Sequence, residues 1–330
     1  MSHRRSRFAA SLVELLIVIA VIALLLQLAL PAVEMSREAA RRTHCVNNIR
    51  QIVTAANLHV ASRRHFPAGG WSWQWVGDSS RGTGRGQPGS WIYNSLPFLD
   101  EQAVHDATPT AVQSISLKIF HCPSRRIAKA YPNHWRFQPH NAEIVDTHAR
   151  SDYAANGGDV YSNLGPGPGS YEESESDGYV WSKYPDKATG IVFSRSLVRP
   201  ADVTDGLSNT YFVGEKYLAR INYLNGIEDG DDFTMYQGDD MDIVRWTMPV
   251  VTDYAKHFID RPNMPRRDDK NFVTAYAFGS AHPAGWHAAH CDGSARLISY
   301  DVSEKIHQNS GNRFDGEAIA ESQVGPRAAP

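Results

Sequence analysis

Residues 11–31 read SLVELLIVIAVIALLLQLALP, an apolar run near the start of a chain of 330 residues. One carboxylate, Glu14, stands near its beginning, and no charged residue follows before Glu34. A stretch of roughly 19 such residues is long enough to cross a hydrocarbon core of about 30 Å as a helix. The run therefore predicts a single membrane span over residues 12–31.

The charges on either side of the span predict its orientation. Arg4, Arg5 and Arg7 precede the span, and Glu34 follows it. Because basic residues beside a span stay in the cytoplasm, we expect a cytoplasmic N-terminus and an exported remainder. The protein would then lie in the cytoplasmic (inner) membrane as a single-pass protein.

Glu14 is the residue that a simple span does not explain. An acidic side chain costs about 2.5–3.5 kcal/mol at the middle of a span and less near its end, so Glu14 needs a partner. A cleaved secretory signal peptide is one alternative, but the stretch from Leu28 to Ala32 offers no good small-residue cleavage site. A plain signal anchor is another, and it gives no reason for Glu14.

The segment Ser11-Leu12-Val13-Glu14 resembles the leader of type IV prepilins and of the pseudopilins of type II secretion. The resemblance implies that a prepilin peptidase cleaves between Ala9 and Ala10, that Ala10 is then N-methylated, and that the helix is retained. It also gives Glu14 and Pro31 roles in assembly. The new α-amino group of a neighbouring subunit would pair with Glu14, because a buried carboxylate costs far less when it is paired.

Beyond the span the helical pattern continues. Apolar residues such as Val46, Ile49, Val53 and Val60 recur at steps of three and four, which predicts one helix over residues 12–62 that is kinked rather than ended by Pro31. We therefore divide the chain into a cytoplasmic leader (1–9), a pilin-type helix (10–65) and an exported globular domain (66–330).

The exported part is punctuated by Gly and Pro, with short β-type runs and short helices. Short helices are predicted within 91–99 and 103–119, and no second long amphipathic helix appears. The predicted class is α+β, with the long N-terminal helix packed on a mainly antiparallel, β-rich domain. The predicted strands are 71–76, 191–197, 211–213, 271–278, 286–291 and 295–300.

A second resemblance covers most of the chain. The chain is similar to a bacterial family of prepilin-like proteins named for a His, nine residues and Asp-Gly, here His282 and Asp292-Gly293. Its C-terminal domain of unknown function 1559 is described as solute-binding-protein-like. The resemblance implies an architecture and an export route, not a ligand. The ordered motifs that carry it include Arg37-Glu38-Ala39-Ala40-Arg41-Arg42, Cys45-Val46-Asn47-Asn48, Phe120-His121-Cys122-Pro123-Ser124, Tyr153-Ala154-Ala155-Asn156-Gly157-Gly158, Val213-Gly214-Glu215-Lys216 and Phe278-Gly279-Ser280-Ala281-His282-Pro283.

The chain has three cysteines, Cys45, Cys122 and Cys291. An exported domain meets oxidising conditions, so a disulfide is one expectation, and three reduced, buried thiols are the other. The residues alone leave all three pairings open. The resemblance favours Cys45–Cys122, because the motifs around these two cysteines recur together in the family.

The signature residues have two interpretations. Asp292-Gly293 between two apolar runs predicts a tight turn, and His282 lies in a turn at the far end of the first strand. The preferred interpretation is that His282 and Asp292 hydrogen-bond to the loops of this hairpin. The alternative is a metal or ligand site from His282, His287, His290 and Asp292, although strand alternation places His287 on the opposite face from the last two.

Two acidic runs, 228–232 and 239–242, are rich in oxygen ligands. They predict exposed, solvated loops, with calcium as the alternative, although neither run has EF-hand spacing. The weaker candidates for metal ligands are Asp229, Asp231, His290 and Asp292. No cofactor other than calcium is considered for this chain.

Three indoles, Trp71, Trp73 and Trp75, would line one face of a predicted strand. We interpret them as a core or subunit-packing face, with a sugar-stacking platform as the alternative. The chain carries no familiar catalytic motif, so we expect no enzyme. Its net charge of −3, without an extended basic patch, argues against nucleic acid as a partner.

Two functions remain at this point. The first is a pilin-like or pseudopilin-like structural subunit whose partners are the prepilin peptidase, homologous subunits and the membrane. The second is a membrane-tethered domain that binds a solute or glycan and uses the helix only as an anchor. In both, the C-terminal domain would be periplasmic or exposed on a pilus or pseudopilus surface.

Overall fold

The structure is a computed structural model that describes residues 12–162, 165–181, 184–247 and 263–316. The described chain forms two compact units, which meet in the sequence between Thr43 and His44. That boundary falls inside the first helix, α1 (Leu12–Arg63), so both units contain a part of it.

The first unit consists of the N-terminal part of α1. Its large apolar side chains from Leu12 to Val33 are 46–78% exposed. Pro31 lies inside the helix and does not end it. Among the described residues, α1 is the one helix that is long and apolar enough to cross a membrane. Salt bridges between residues three apart, Glu34–Arg37 and Glu38–Arg41, follow the apolar part.

The second unit contains short elements joined by turns and loops. The helices after α1 are α2 (Trp91–Ser95), α3 (Gln102–His105), α4 (Pro109–Val112), α5 (Tyr171–Glu175) and α6 (Glu304–Gly311). The strands are β1 (Tyr131–Pro132), β2 (Thr147–His148), β3 (Tyr153–Asn156), β4 (Tyr211–Glu215), β5 (Val244–Arg245), β6 (Arg266–Arg267), β7 (Gly279–Ser280), β8 (Trp286–His290) and β9 (Ala295–Ile298).

The main sheet of the described residues has five strands in the order β5-β3-β4-β8-β9. Its pairs are antiparallel except β3 with β5, which run parallel. A separate antiparallel pair is formed by β1 and β2, and a parallel pair by β6 and β7. The domain is thus β-containing with mixed sheets, and its strands span only two to five residues each.

Three of the predicted strands are wrong. Residues 71–76, 191–197 and 271–278 fold into turns and irregular segments. At 71–76 the Trp75 N–H donates to the Ser72 carbonyl at 3.1 Å, which closes a turn where a strand was expected. The indoles of Trp71 and Trp75 pack edge to face at 4.8 Å and are both buried. Burial of aromatic side chains, not strand alternation, is therefore the origin of this apolar pattern.

The core of the second unit forms between α1 and the sheet. The face of α1 that the spacing predicted is the buried one, with Ile49, Ile52 and Val53 fully buried. They belong to the same cluster as Trp91 of α2 and Phe212 of β4, whose rings lie edge to face at 6.0 Å. The core therefore fixes the C-terminal part of α1 to the central strand of the sheet.

A pair of truncations in α1 tests this packing. Ile52 is 0% exposed and Leu58 is 51% exposed in the same helix. We expect Ile52→Ala to lower the free energy of unfolding by about 2–5 kcal/mol, because it leaves a cavity. Leu58→Ala should change it by about 0.5 kcal/mol or less. Denaturant unfolding of the full chain in detergent, followed by tryptophan fluorescence, measures both, and equal losses would contradict the described core.

Candidate functional site

The last residue of β4 and the residue after it lie at the centre of two buried polar clusters. Glu215 and Lys216 are each 1% exposed. Successive side chains of a strand point to opposite faces, so these two neighbours reach different surroundings. Glu215 faces two cysteines and two histidines, and Lys216 faces a network of aspartates and arginines.

The first cluster consists of Cys45, Cys122, Glu215 and His282, and we name it the thiol cluster. One potential ligand atom from each side chain lies within 4.8 Å of the others, and all four residues are buried. The Cys45 thiol donates to the Cys122 Sγ at 3.1 Å. The His282 Nε2 lies 3.7 Å from the Cys122 Sγ and 3.4 Å from the Glu215 Oε1.

Neighbouring residues hold the side chains of the thiol cluster in place through hydrogen bonds. The His287 backbone N–H donates to the Glu215 Oε2 at 2.8 Å, and its Nδ1 lies 3.0 Å from the same oxygen. The Cys122 N–H donates to the Asp152 Oδ2 at 2.7 Å. The Tyr300 hydroxyl donates to the His282 carbonyl at 2.8 Å. Hydrogen bonds to their own backbone groups therefore hold Cys122 and His282 in place.

The electrostatics of the thiol cluster separate its two cysteines. The hydrogen bond from Cys45 lowers the pKa of Cys122, and His282 adds to this effect. Hydrogen bonding to Cys122, followed by burial, raises the pKa of Cys45. Burial lowers the pKa of His282, but its hydrogen bonds with Cys122 and Glu215 outweigh burial and raise the pKa to about 11. Cys122 is thus the sulfur that loses its proton more readily.

The second cluster is an ion network below the other face of β4. Asp152 accepts salt bridges from Arg125 at 3.3 Å and from Arg126 at 2.8 Å. Asp231 is paired with Arg126 and, at 2.9 Å, with Lys216. Burial raises the pKa of Asp152, but Arg126 and Arg125 outweigh it and keep the pKa below its usual range. The network compensates five charges that would each be costly to bury alone.

The signature residues separate into different surroundings. His282 joins the thiol cluster, and His287 contacts it through Glu215. His290 is buried against Tyr211, with ring centroids 5.2 Å apart. Asp292 is exposed in the turn after β8, where its Oδ1 accepts from the Ser294 N–H at 2.8 Å. Gly293 has a φ of +93°, which requires glycine in this turn.

The acidic runs are mostly buried, so the expectation of exposed, solvated loops is wrong for them. Asp229 is exposed, but Asp231 lies in the ion network. The other carboxylates of the two runs, Glu228, Asp232, Asp239, Asp240 and Asp242, are buried. Within the described ranges, Asp229, Asp231, His290 and Asp292 do not form a group of three or more ligands. Calcium stays the alternative interpretation of these runs.

The remaining predicted site residues lie near the N-terminus or in the thiol cluster. Glu14 is exposed in the first turn of α1. Ala9 and Ala10 lie outside the described residues. The Cys45 and Cys122 sulfurs are adjacent but not bonded to each other, so their disulfide stays a prediction. Cys291 is buried elsewhere, 3.8 Å from the Tyr211 carbonyl oxygen.

An open groove of about 1130 Å³ lies in the second unit. Residues of α1 from His44 to Ala55 form one wall, and segments 98–101 and 116–128 form the others. Arg50 and Lys118 bring positive charge to the lining, and Asp100 and Glu101 bring negative charge. This mixed lining suits a polar ligand or a protein surface, and it favours no single ligand class.

The polar residues that join these clusters had no predicted role. These residues are Glu215, Lys216, Asp152 and the pair Arg125-Arg126. Three of the family motifs, at 120–124, 153–158 and 213–216, contain or adjoin them. A signal was present in the sequence, because two charged residues, Glu215 and Lys216, directly follow residues 211–214 of β4. Charges at the end of a buried strand need partners, and their types indicate which partners.

Comparison with known proteins gives one finding. A family model described as a protein of unknown function (DUF1559) matches residues 35–305. No curated protein and no solved structure matches the chain. The match covers the thiol cluster, the ion network and the groove.

A substitution of Asp152 tests the ion network. Asp152→Asn leaves Arg125 and Arg126 buried without their shared carboxylate, so we expect the free energy of unfolding to fall by about 3–5 kcal/mol. The matched control is Asp146→Asn, which removes the exposed pair Arg136–Asp146, where the Asp146 side chain is 87% exposed. It should cost about 1 kcal/mol or less. Similar losses in the two variants would contradict a structural role for the network.

The stability difference between the wild type and Asp152→Asn should also depend on pH. The folded-state pKa of Asp152 is lowered, so its contribution is fully present above its unfolded pKa of about 3.9 and is lost as the pH falls towards the folded value. The stability difference between wild type and Asp152→Asn should stay constant from about pH 7 to 5 and shrink below about pH 4. Denaturant unfolding at a series of pH values measures it, and a difference that grows in acid would be the wrong sign.

Proposed function

The chain belongs to the family of proteins of unknown function DUF1559, and we propose that it is a membrane-inserted subunit of the type IV pilin or pseudopilin kind. A prepilin peptidase would cleave it between Ala9 and Ala10 and methylate Ala10. The retained helix would then assemble in a pilus or a type II secretion pseudopilus. The second unit would be carried outside the cytoplasmic membrane.

The observation that carries this proposal is the exposed apolar surface of α1. From Leu12 to Val33 its Leu, Ile and Val side chains are all at least 46% exposed. Each such side chain gains about 1.5–3 kcal/mol when it is buried, so the segment needs lipid or other helices around it. A membrane supplies this environment before assembly, and the helices of neighbouring subunits supply it afterwards.

Glu14 is the residue that favours assembly over simple anchoring. It lies in the first turn of this apolar segment, where a carboxylate is costly to bury. An anchor functions equally well with leucine at that place. A packed array of processed subunits instead brings the amine of a neighbouring Ala10 to the carboxylate, and pairing offsets the cost of burial.

Pro31 supports the same proposal from the other end of the span. Proline has no backbone N–H, so the carbonyl of Gln27, four residues earlier, lacks its helical partner. The helix is continuous across this site but has one bond fewer than a regular helix. Such a site lets a long helix bend when it passes from lipid into contact with other subunits.

The second candidate is a membrane-tethered domain that binds a solute or glycan. The open groove of about 1130 Å³ beside α1 favours it, because its volume suits a small ligand. In this case the helix is only an anchor, and Glu14 has no partner subunit.

Cross-linking in cells tests the proposal. We compare the wild type with Glu14→Leu and with a control, Glu34→Ala, which removes a carboxylate paired with the exposed Arg37. Wild type and control should give a ladder of cross-linked multimers. Glu14→Leu should reach the membrane in equal amount but lose about tenfold or more of the ladder, which corresponds to about 1.4 kcal/mol or more.

The opposite pattern would favour the tether. If Glu14→Leu inserts and gives the same ladder as the wild type, or if the wild type gives none, assembly through Glu14 is wrong. Membrane fractionation of each variant confirms that a lost ladder is not a failure of insertion.

A further inference from the structure

We propose that the thiol cluster is a zinc site in which Cys45, Cys122, Glu215 and His282 bind one Zn²⁺ ion. This site is separate from the assembly function proposed above for the N-terminal part of α1, which we name the stalk, and does not depend on it. The ligands would be two thiolate sulfurs, one imidazole nitrogen and one carboxylate oxygen.

The spacing of the four donor atoms suits one small tetrahedral ion. Zinc binds sulfur at about 2.3 Å and nitrogen or oxygen at about 2.0–2.2 Å, which places neighbouring ligand atoms about 3.3–3.8 Å apart. In the structure the separations are 3.1 Å between the two sulfurs, 3.7 Å from the Cys122 Sγ to the His282 Nε2, and 3.4 Å from that nitrogen to the Glu215 Oε1. All four donor atoms lie within 4.8 Å of one another. Small adjustments of side chains would therefore complete the site.

The donor types select the metal. Thiolates prefer soft or borderline ions, and calcium and magnesium prefer all-oxygen sites. Zinc binds Cys sulfur, His nitrogen and Asp or Glu oxygen in tetrahedral sites, so a set of two sulfurs, one nitrogen and one oxygen fits this ion. All four side chains are buried, so the site would be closed and structural rather than open to substrate.

The groups around the cluster orient its ligands as a metal site requires. Glu215 uses its Oε2 to accept the backbone N–H of His287 at 2.8 Å, and the His287 Nδ1 lies 3.0 Å from the same oxygen. This leaves the Oε1 towards His282 and the sulfurs. Partners of this kind fix ligand orientation in metal sites.

Charge balance gives a reason for a cation in this position. A disulfide between Cys45 and Cys122 needs neither a carboxylate nor an imidazole beside it. Two thiols and a carboxylate held at 2% exposure or less are costly to ionise unless a positive charge joins them. On binding, the protons held by the two sulfurs and by the His282 imidazole leave to solvent, and Zn–S and Zn–N bonds replace the S–H and N–H bonds.

The four ligands come from distant parts of the chain. Cys45 lies on α1, Cys122 follows the 3₁₀ turn Lys118–Phe120, Glu215 ends β4, and His282 precedes β8. One ion would therefore join the C-terminal part of α1 to the centre of the sheet. A disulfide would use up both sulfurs, so the zinc form and the disulfide form exclude each other.

The test uses the full chain, extracted in detergent and purified with a tag that does not bind metal. After dialysis against metal-free buffer, mass spectrometry measures zinc per chain, and a thiol reagent counts free thiols in denaturant. We expect about one zinc and three thiols per chain, the latter from the three cysteines of the sequence. Zinc absent together with a Cys45–Cys122 disulfide-linked peptide would overturn the proposal.

Variants separate a metal site from a redox pair. Glu215→Gln and His282→Gln should each lower zinc content or affinity by about tenfold or more, in line with the loss of a ligand. The matched control is Cys291→Ser, which removes a buried cysteine outside the cluster and should keep zinc. Zinc content unchanged in both ligand variants would contradict the assignment.

X-ray absorption at the zinc edge of the wild type keeps the test independent of how the variants fold. The proposal predicts two sulfur and two nitrogen or oxygen neighbours around zinc. A shell of only nitrogen and oxygen would show that the metal lies elsewhere and would overturn the site.

Discussion

One helix has to satisfy two different apolar environments, and the organisation of this protein depends on that constraint. From Val46 to Val60, α1 places one apolar face in the core of the second unit. From Leu12 to Val33 it is apolar all round and exposed. The first part needs only its own domain. The second part is long and apolar enough to cross a membrane, and such a surface suits lipid or other helices.

The second unit has little regular structure to hold it together, and buried polar side chains take over part of that task. Its strands are short, and the central one, β4, ends at Glu215 and is followed directly by Lys216, whose side chain lies on the opposite side. Glu215 joins the segments that carry Cys45, Cys122 and His282, while Lys216 joins those of the ion network. Both clusters link parts of the chain that are far apart in sequence. Such networks specify one arrangement of loops, because a wrong arrangement would leave charges unpaired.

Sequence reasoning succeeded where the information is local. The spacing of apolar residues predicted α1 to within one residue of its end at Arg63, and the runs around Asp292-Gly293 predicted the hairpin of β8 and β9. It failed at residues 71–76, where aromatic residues at alternate positions indicated a strand, but the chain forms a turn in which Trp71 and Trp75 are buried and Trp73 is half-buried. Periodicity reports which side chains are buried, and a short aromatic run is compatible with more than one backbone.

Local sequence patterns could not predict that Glu215 lies next to the two cysteines and His282. These residues are separated by tens of positions, and only the folded sheet brings them together. The types of residue still carried information, because a carboxylate and a histidine next to buried thiols need a cation or a proton. The function of the stalk rests on a different kind of signal, the place of Glu14 at the start of an apolar helix.

The mass of the mature N-terminal peptide tests the account of that stalk most directly. Protein extracted from membranes should begin at Ala10 and carry one N-methyl group, which creates the amine that Glu14 needs. A peptide that begins at Met1 would leave Glu14 without this partner and contradict the account. A chain that begins beyond Pro31 would contradict it too, because the apolar segment would then be a cleaved signal rather than a retained helix.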